Sequence, residues 1–185
     1  MHKAKNLSNA LLETLNRPLE KAGEHVIELN QMTIEITRLK PNSLELQICA
    51  EWRYEAFLKS YGYSLVDSVA QLTKLATQPD EYETALIASV DGHLAGICLL
   101  VLQEFEPLHD VSPWLASLYV APEYRKRGVA RKLVAAIEDR ARKHGVARLH
   151  LYTGDAEKFY LKCGWSLAEQ GTADGEPYAF MIRDL

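Results

Sequence analysis

Leu7, Leu11, Leu12, Leu15 and Leu19 recur at helical spacing with polar residues between them, and Pro18 interrupts the pattern near its end. They predict a short amphipathic N-terminal helix. Residues 25–29 and 33–39 read as two strands around Asn30 and Gln31. The second alternates Ile34 and Ile36 with Glu35 and Thr37, which suits a hairpin at a sheet edge. Pro41 and Asn42 end the strand, and Ser43 is placed to cap a helix through Leu44, Ile48, Tyr54 and Phe57. A second helix is expected over residues 65–76, with residues 60–64 as the loop before it.

The clearest local signal is Asp91-Gly92 between two β-rich runs, residues 84–90 and 93–102, because Asp-Gly adopts the left-handed dihedrals of a tight hairpin. Residues 103–113, with two prolines, form a loop leading into a strand over 114–120. Beyond a basic turn, Ala130, Leu133, Val134, Ile137 and Ala141 make one helical stripe, while Lys132, Asp139, Arg140 and Lys143 face elsewhere. His144 and Gly145 close that helix. A strand over 146–152 follows, then a short helix over 155–162 that Asp155 would cap and Gly164 would end, and a final strand pair at 165–168 and 178–182. A helix between the fourth and fifth main strands predicts one parallel crossover in an otherwise antiparallel sheet.

At 185 residues the chain fits one domain with a short appendage, and 48% hydrophobic with 25% charged residues is a globular composition. A net charge of −4 argues against a general nucleic-acid binder, and such a reading would demand strongly salt-dependent polyanion affinity. The positive charge is focused instead: Arg125, Lys126, Arg127, Arg131 and Lys132 stand against an acidic background. Cys49, Cys98 and Cys163 lack CxxC spacing, there is no long apolar run, and no leader pattern opens the chain. Those features predict a cytoplasmic protein with no membrane partner. Cys163 has no specified basic partner and is expected to be a small buried packing residue.

The run Arg125, Lys126, Arg127, Gly128, Val129, Ala130 lies between the 114–120 strand and the amphipathic helix. A helix start offers unpaired N–H donors and about half a positive charge, and Gly128 permits a positive φ and close backbone approach, so a phosphate site is expected here. Neither GK[ST] nor GxGxxG is present.

Arg125, Gly128 and Ala130 match the pattern Gln or Arg, two residues of any type, Gly, any residue, then Gly or Ala. Downstream, Phe159 and Tyr160 followed after three residues by Gly164 and Trp165 form a second element, one helix and one strand away. In this order the two motifs, with Leu118-Tyr119-Val120-Ala121-Pro122 ahead of them, resemble the GNAT superfamily of acyl-CoA-dependent N-acyltransferases over residues 33–182. The resemblance implies an α/β (α+β) fold with a mixed, mostly antiparallel sheet of about seven strands flanked by helices. It divides the chain into an N-terminal helix and edge-strand extension, residues 1–32, and an acetyltransferase domain, residues 33–185.

It also implies acetyl-CoA as cosubstrate and no metal. The pyrophosphate would lie on Arg125 to Ala130, and the backbone of Leu118, Tyr119 and Val120 would hold the pantetheine arm between two splayed strands. Tyr160 would act as general acid toward the departing thiolate, and the acceptor would be a primary amine on a small molecule, peptide or protein. Many family members place an asparagine where this chain has Thr153 and Asp155. The general base is left among Glu55, Glu104, His109, Asp110 and water, and the aromatics Trp52, Tyr54, Phe57, Tyr61 and Tyr63 either pack helices or line an acceptor pocket. A non-catalytic acyl-CoA-binding sensor or regulatory module is the alternative function. The N-terminal helix packs on its own domain or on a second subunit, the latter giving a homodimer.

Overall fold

The computed structural model describes residues 32–185 apart from 79–81, 105–107 and 174. The helix expected around Leu7 to Leu19 and the strand at 25–29 lie outside the described residues. The described elements are β1 (Ile34–Arg38), α1 (Leu44–Arg53), α2 (Leu65–Thr77), β2 (Thr84–Val90), β3 (His93–Val101), β4 (Trp114–Val120), α3 (Val129–Lys143), β5 (Arg148–Thr153), α4 (Glu157–Lys162), β6 (Ser166–Ala173) and β7 (Glu176–Asp184). The seven strands form one sheet in the order β1-β2-β3-β4-β5-β7-β6. All neighbours are antiparallel except β4 and β5.

Local chemistry sets the boundaries. Ser43 accepts a hydrogen bond from the Leu46 amide at 3.2 Å and opens α1. Ser64 and Asp67 form a reciprocal capping box at the start of α2. Asp91 and Gly92 both have positive φ in the β2–β3 turn. The first helix ends at Arg53 and not beyond Phe57: Tyr54–Leu58 widens into a π turn, and Lys59–Tyr61 tightens into a 3₁₀ turn that Gly62 ends in the left-handed region.

The sheet is covered on both faces. Leu133, Val134 and Ile137 of α3 pack against Cys98 and Leu100 of β3, Leu115 and Val120 of β4, and Leu149 and Leu151 of β5. Leu46, Cys49 and Ala50 of α1 and Leu72 of α2 cover Ile97, Leu99 and Ala116 on the other face. Strand β3 is buried on both sides, which explains its nearly unbroken apolar run. On the α3 face the buried Glu138 accepts from Trp165 Nε1 at 2.9 Å and lies 3.7 Å from Arg183 Nε, fastening α3 to the last hairpin.

Gly96 sits where β3 meets β4. A Cβ there would stand 2.6 Å from the Tyr119 carbonyl oxygen and 3.2 Å from Leu133 Cδ1, and the carbonyl belongs to backbone that cannot rotate aside. Gly96→Ala is expected to lower the unfolding free energy by about 1–3 kcal/mol. Urea denaturation checks this as a reduced midpoint with unchanged slope, and a midpoint equal to the parent's would show that the strands can part at no cost.

A divided sheet and an uncapped helix start

Strands β4 and β5 pair at a single position, Trp114 with His150. Beyond it β4 stays on β3 as far as Val120, and β5 stays on β7 as far as Thr153. The two inner edges therefore diverge toward their C-terminal ends. A bulge helps to turn β4: Ile97 and Leu99 face Tyr119 and Ala116, so Ser117 and Leu118 together oppose Cys98. Ser117 takes φ 50, a left-handed conformation that costs a non-glycine residue about 1–2 kcal/mol.

Arg53 supports the bulge from the opposite layer. It continues the buried series Leu46, Cys49 and Ala50 of α1, is 3% exposed, and donates through Nε to Ser117 Oγ at 3.0 Å and through Nη1 to Gln71 Oε1 at 2.6 Å. Burial pushes its guanidinium down to about 10, against the opposing pull of Glu104 and Tyr63, so it stays charged at neutral pH.

After β4 the chain makes a 3₁₀ turn at Pro122–Tyr124 and reaches α3 through Lys126, φ 61, and Gly128, φ 88. Gly128 is the N-cap and provides no side-chain cap, and the first intrahelical bond runs from the Lys132 amide to the Gly128 carbonyl at 3.1 Å. The amides of Val129, Ala130 and Arg131 precede that bond and have no partner within the helix. Arg125 turns away from them: its Nε donates to the Val120 carbonyl at 3.0 Å, and its guanidinium lies over the Tyr119 ring at 5.8 Å. Arg127 lies over Tyr124 at 5.8 Å, and Lys132 donates to the Ile34 carbonyl at 3.3 Å. Lys126, Arg127 and Gly128 are exposed.

Tyr160 of α4 is buried on the α3 face, between Phe159 at 5.1 Å and Trp165 at 5.9 Å between ring centroids. Burial raises its phenol well above the ordinary value, with smaller contributions from Cys98, Cys163 and Asp155. Asp155 does not cap α4. The N-cap is Ala156, whose amide donates to Thr153 Oγ1 at 3.0 Å, because the helix starts one residue later than the sequence pattern suggested. Cys163 is half-buried rather than buried, and burial raises its thiol.

The opposite face carries polar clefts. One of 570 Å³ is lined by Glu104, His109, Asp110 and Trp114 among others. Another, of 280 Å³, is lined by Arg53, Gln71, Glu104 and Ala116. Glu104, His109 and Asp110 thus come together, whereas Glu55 is exposed and paired with Lys59 at 2.9 Å. Trp52 packs on Tyr119 at 5.2 Å, and Tyr61 is exposed. Sequence reasoning passed over Arg53, Ser117, Tyr152, Glu169 and Tyr178. Of these only Arg53 had a local signal, its core-facing place in the helical register.

Among the described residues no helix is long and apolar enough to cross a membrane, and no group of three or more His, Cys, Asp or Glu side chains is placed to hold a metal ion.

A family model described as the acetyltransferase (GNAT) family matches residues 46–165. An aminoglycoside 6'-N-acetyltransferase complexed with coenzyme A is similar at TM-score 0.64 and 16% identity, over 81% of this chain and 96% of that one. The PaiA N-acetyltransferase of Thermoplasma acidophilum, in complex with coenzyme A, is similar at TM-score 0.60 and 22% identity, over 83% and 100%. YncA of Salmonella typhimurium, a putative acetyltransferase with its cofactor acetyl-CoA, is similar at 0.62 and 15%, over 82% and 93%. No curated protein matches by sequence.

The tie between Arg53 and Ser117 is measurable. A double-mutant cycle with Arg53→Met and Ser117→Ala is expected to return a coupling of about 1 kcal/mol in unfolding free energy. A coupling of zero would mean that the bulge holds its shape without the arginine.

Proposed function

The chain belongs to the acetyltransferase (GNAT) family, and on that premise we propose that it transfers an acetyl group from acetyl-CoA to a primary amine. The observation that carries the reading is the opening between β4 and β5 beside an uncapped helix start. Acetyl-CoA needs both a place for its pyrophosphate and a slot for an extended pantetheine arm. The amides of Gly128, Val129 and Ala130 offer the first, with Lys126 and Arg127 adding charge and Arg125 fixing the turn to the strand. The backbone of Leu118, Tyr119 and Val120 offers the second, since an arm with amide groups can lie along a strand edge as an added strand does. The domain boundary belongs to the same proposal, with residues 33–185 as the acetyltransferase and residues 1–32 as an extension.

The amine attacks the thioester carbonyl directly, and backbone N–H near Val120 stabilises the oxygen of the tetrahedral intermediate. Collapse expels coenzyme A thiolate, which Tyr160 protonates. Burial raises the phenol, but it penalises a bare thiolate as well. Cys98, fully buried nearby, has its thiol raised strongly by the same desolvation. Desolvation thus keeps the Tyr160 phenol in the protonated form, the form that donates. The acceptor enters from the face of α1 and α2, where Glu104 and Asp110 provide negative charge for an ammonium group.

Calorimetry with acetyl-CoA is expected to give saturable one-to-one binding, and folded protein without heat of binding would remove the donor assignment. Coenzyme A release should then be seen with at least one of spermidine, kanamycin, glycine, a peptide with a free N-terminus, or benzylamine. Binding without release from any of them would favour an acyl-CoA-binding module. Tyr160→Phe is expected to lower kcat on the order of 10²-fold with little change in KM for acetyl-CoA. An unchanged kcat would take the general-acid role from Tyr160.

A further inference from the structure

On the face that bears the clefts, three side chains from distant parts of the chain form a hydrogen-bonded line. Tyr152 Oη lies 2.7 Å from His109 Nδ1, and His109 Nε2 lies 3.2 Å from Glu169 Oε2. Tyr178 donates to the other oxygen of Glu169 at 2.5 Å. The His109 ring is stacked on Phe180 at 4.0 Å with an interplanar angle of 11°, which fixes the imidazole plane. Tyr152 stands 4.8 Å from Trp114, the residue at which β4 and β5 last pair. The line thus begins where the sheet opens and ends at Glu169, whose side chain is half exposed to solvent.

For a neutral His109 ring the donors and acceptors permit one order. Glu169 is held below the ordinary carboxylate range by its bonds from Tyr178 and His109, so it is an acceptor and takes the Nε2 proton. A neutral imidazole then has Nδ1 free to accept, and the phenol donates to it. Burial, reinforced by Glu104 and Glu169 and opposed by the backbone amides of His109 and Leu108, raises the Tyr152 phenol and keeps it protonated for that donation. Both ring nitrogens of His109 are engaged, so the ring itself offers no free lone pair to a substrate.

We propose that Tyr152, His109 and Glu169 form a proton relay that deprotonates the acceptor ammonium, with Tyr152 as the group that touches the acceptor and His109 as the base behind it. This rests on the acetyl-transfer reading. An N–H bond of the ammonium breaks as its proton goes to Tyr152 Oη, while the phenol O–H breaks and its proton goes to His109 Nδ1. The products are a neutral amine, a neutral phenol and an imidazolium ion held by Glu169. Once the product leaves, the imidazolium returns its Nδ1 proton to Tyr152 Oη as the phenol proton passes to water, which restores the Nε2–H bond to Glu169, and no other reactant is required. His109 is faced by Tyr152 and His150 from β5, by Glu169 from β6 with Tyr178 of β7 behind it, and by Glu104 and Asp110 from its own connection.

Two measurements test it. Imidazole ¹⁵N NMR of the unaltered protein at pH 8 is expected to show His109 as the Nε2–H tautomer, and a dominant Nδ1–H tautomer overturns the order of transfer whatever the protein's activity. Coenzyme A release is then followed against pH with benzylamine, an ammonium ion at neutral pH, and with O-benzylhydroxylamine, which is already neutral. With benzylamine, Tyr152→Phe and His109→Gln are expected to lower kcat on the order of 10²-fold. KM for acetyl-CoA stays the same, and the neutral acceptor loses less than about fivefold in either variant. Equal losses with both acceptors assign the three residues a structural role and overturn the relay. An unaltered protein that releases no coenzyme A with any amine contradicts the acetyl-transfer reading beneath it, a failure the NMR result keeps separate from the relay's geometry.

Discussion

The parting of two parallel strands after one residue pair is the constraint around which this structure is arranged. Trp114 and His150 hold β4 to β5, and past them each strand keeps only its outer neighbour. Backbone groups without a ladder partner cost free energy unless water or a ligand meets them, so an opening of this kind must be held by its surroundings. Arg53 ties the β4 bulge to the helical layer on one face, and the close approach of Gly96 to Tyr119 fixes β4 against β3. On the other face α3 packs across β3, β4 and β5, with Glu138 and Trp165 joining it to the last hairpin. The rigid parts hold the opening.

The division also sorts the chemistry by face. The uncapped start of α3 and the buried Tyr160 lie on one side, which the proposed reaction assigns to the pyrophosphate and the departing thiolate. The clefts with Glu104 and Asp110 and the Tyr152–His109–Glu169 line lie on the other, which the same proposal assigns to the acceptor ammonium. Strand alternation produces this separation without any special device. Leu149 and Leu151 face α3, and His150 and Tyr152, one residue out of phase, pack on the other face against Trp114, which lines the larger cleft. In the proposed reaction the thioester joins the two sides through the opening.

Much of this was legible in the residues because the signals were local. Asp91-Gly92 placed the β2–β3 hairpin, the stripe from Leu133 to Ala141 placed α3, and Gly128 takes the positive φ expected of it. The helix between β4 and β5 required a parallel pair, and one is present. Where several turn geometries compete, the pattern gave less. It carried α1 past Arg53 although the chain widens there, and it put the cap of α4 on Asp155 when the hydroxyl of Thr153, at the strand end, bonds the Ala156 amide. Arg125 shows a similar limit, since the sequence does not reveal that its Nε donates to the Val120 carbonyl. The pairing of His109 with Tyr152 and Glu169 was beyond reach. It depends on registers among β5, β7 and β6 and on a loop path separated from them by 43 and 60 positions.

The central claim is that the open edge of β4 and the first amides of α3 together hold acetyl-CoA. Hydrogen–deuterium exchange followed by residue-resolved mass spectrometry, with and without saturating acetyl-CoA, tests it most directly. Amides at 118–120 and 128–131 should slow markedly on addition of acetyl-CoA, while β1 and the exposed face of α2 stay unchanged. Exchange that is unaltered at both segments, or protection confined to other parts of the sheet, would contradict it.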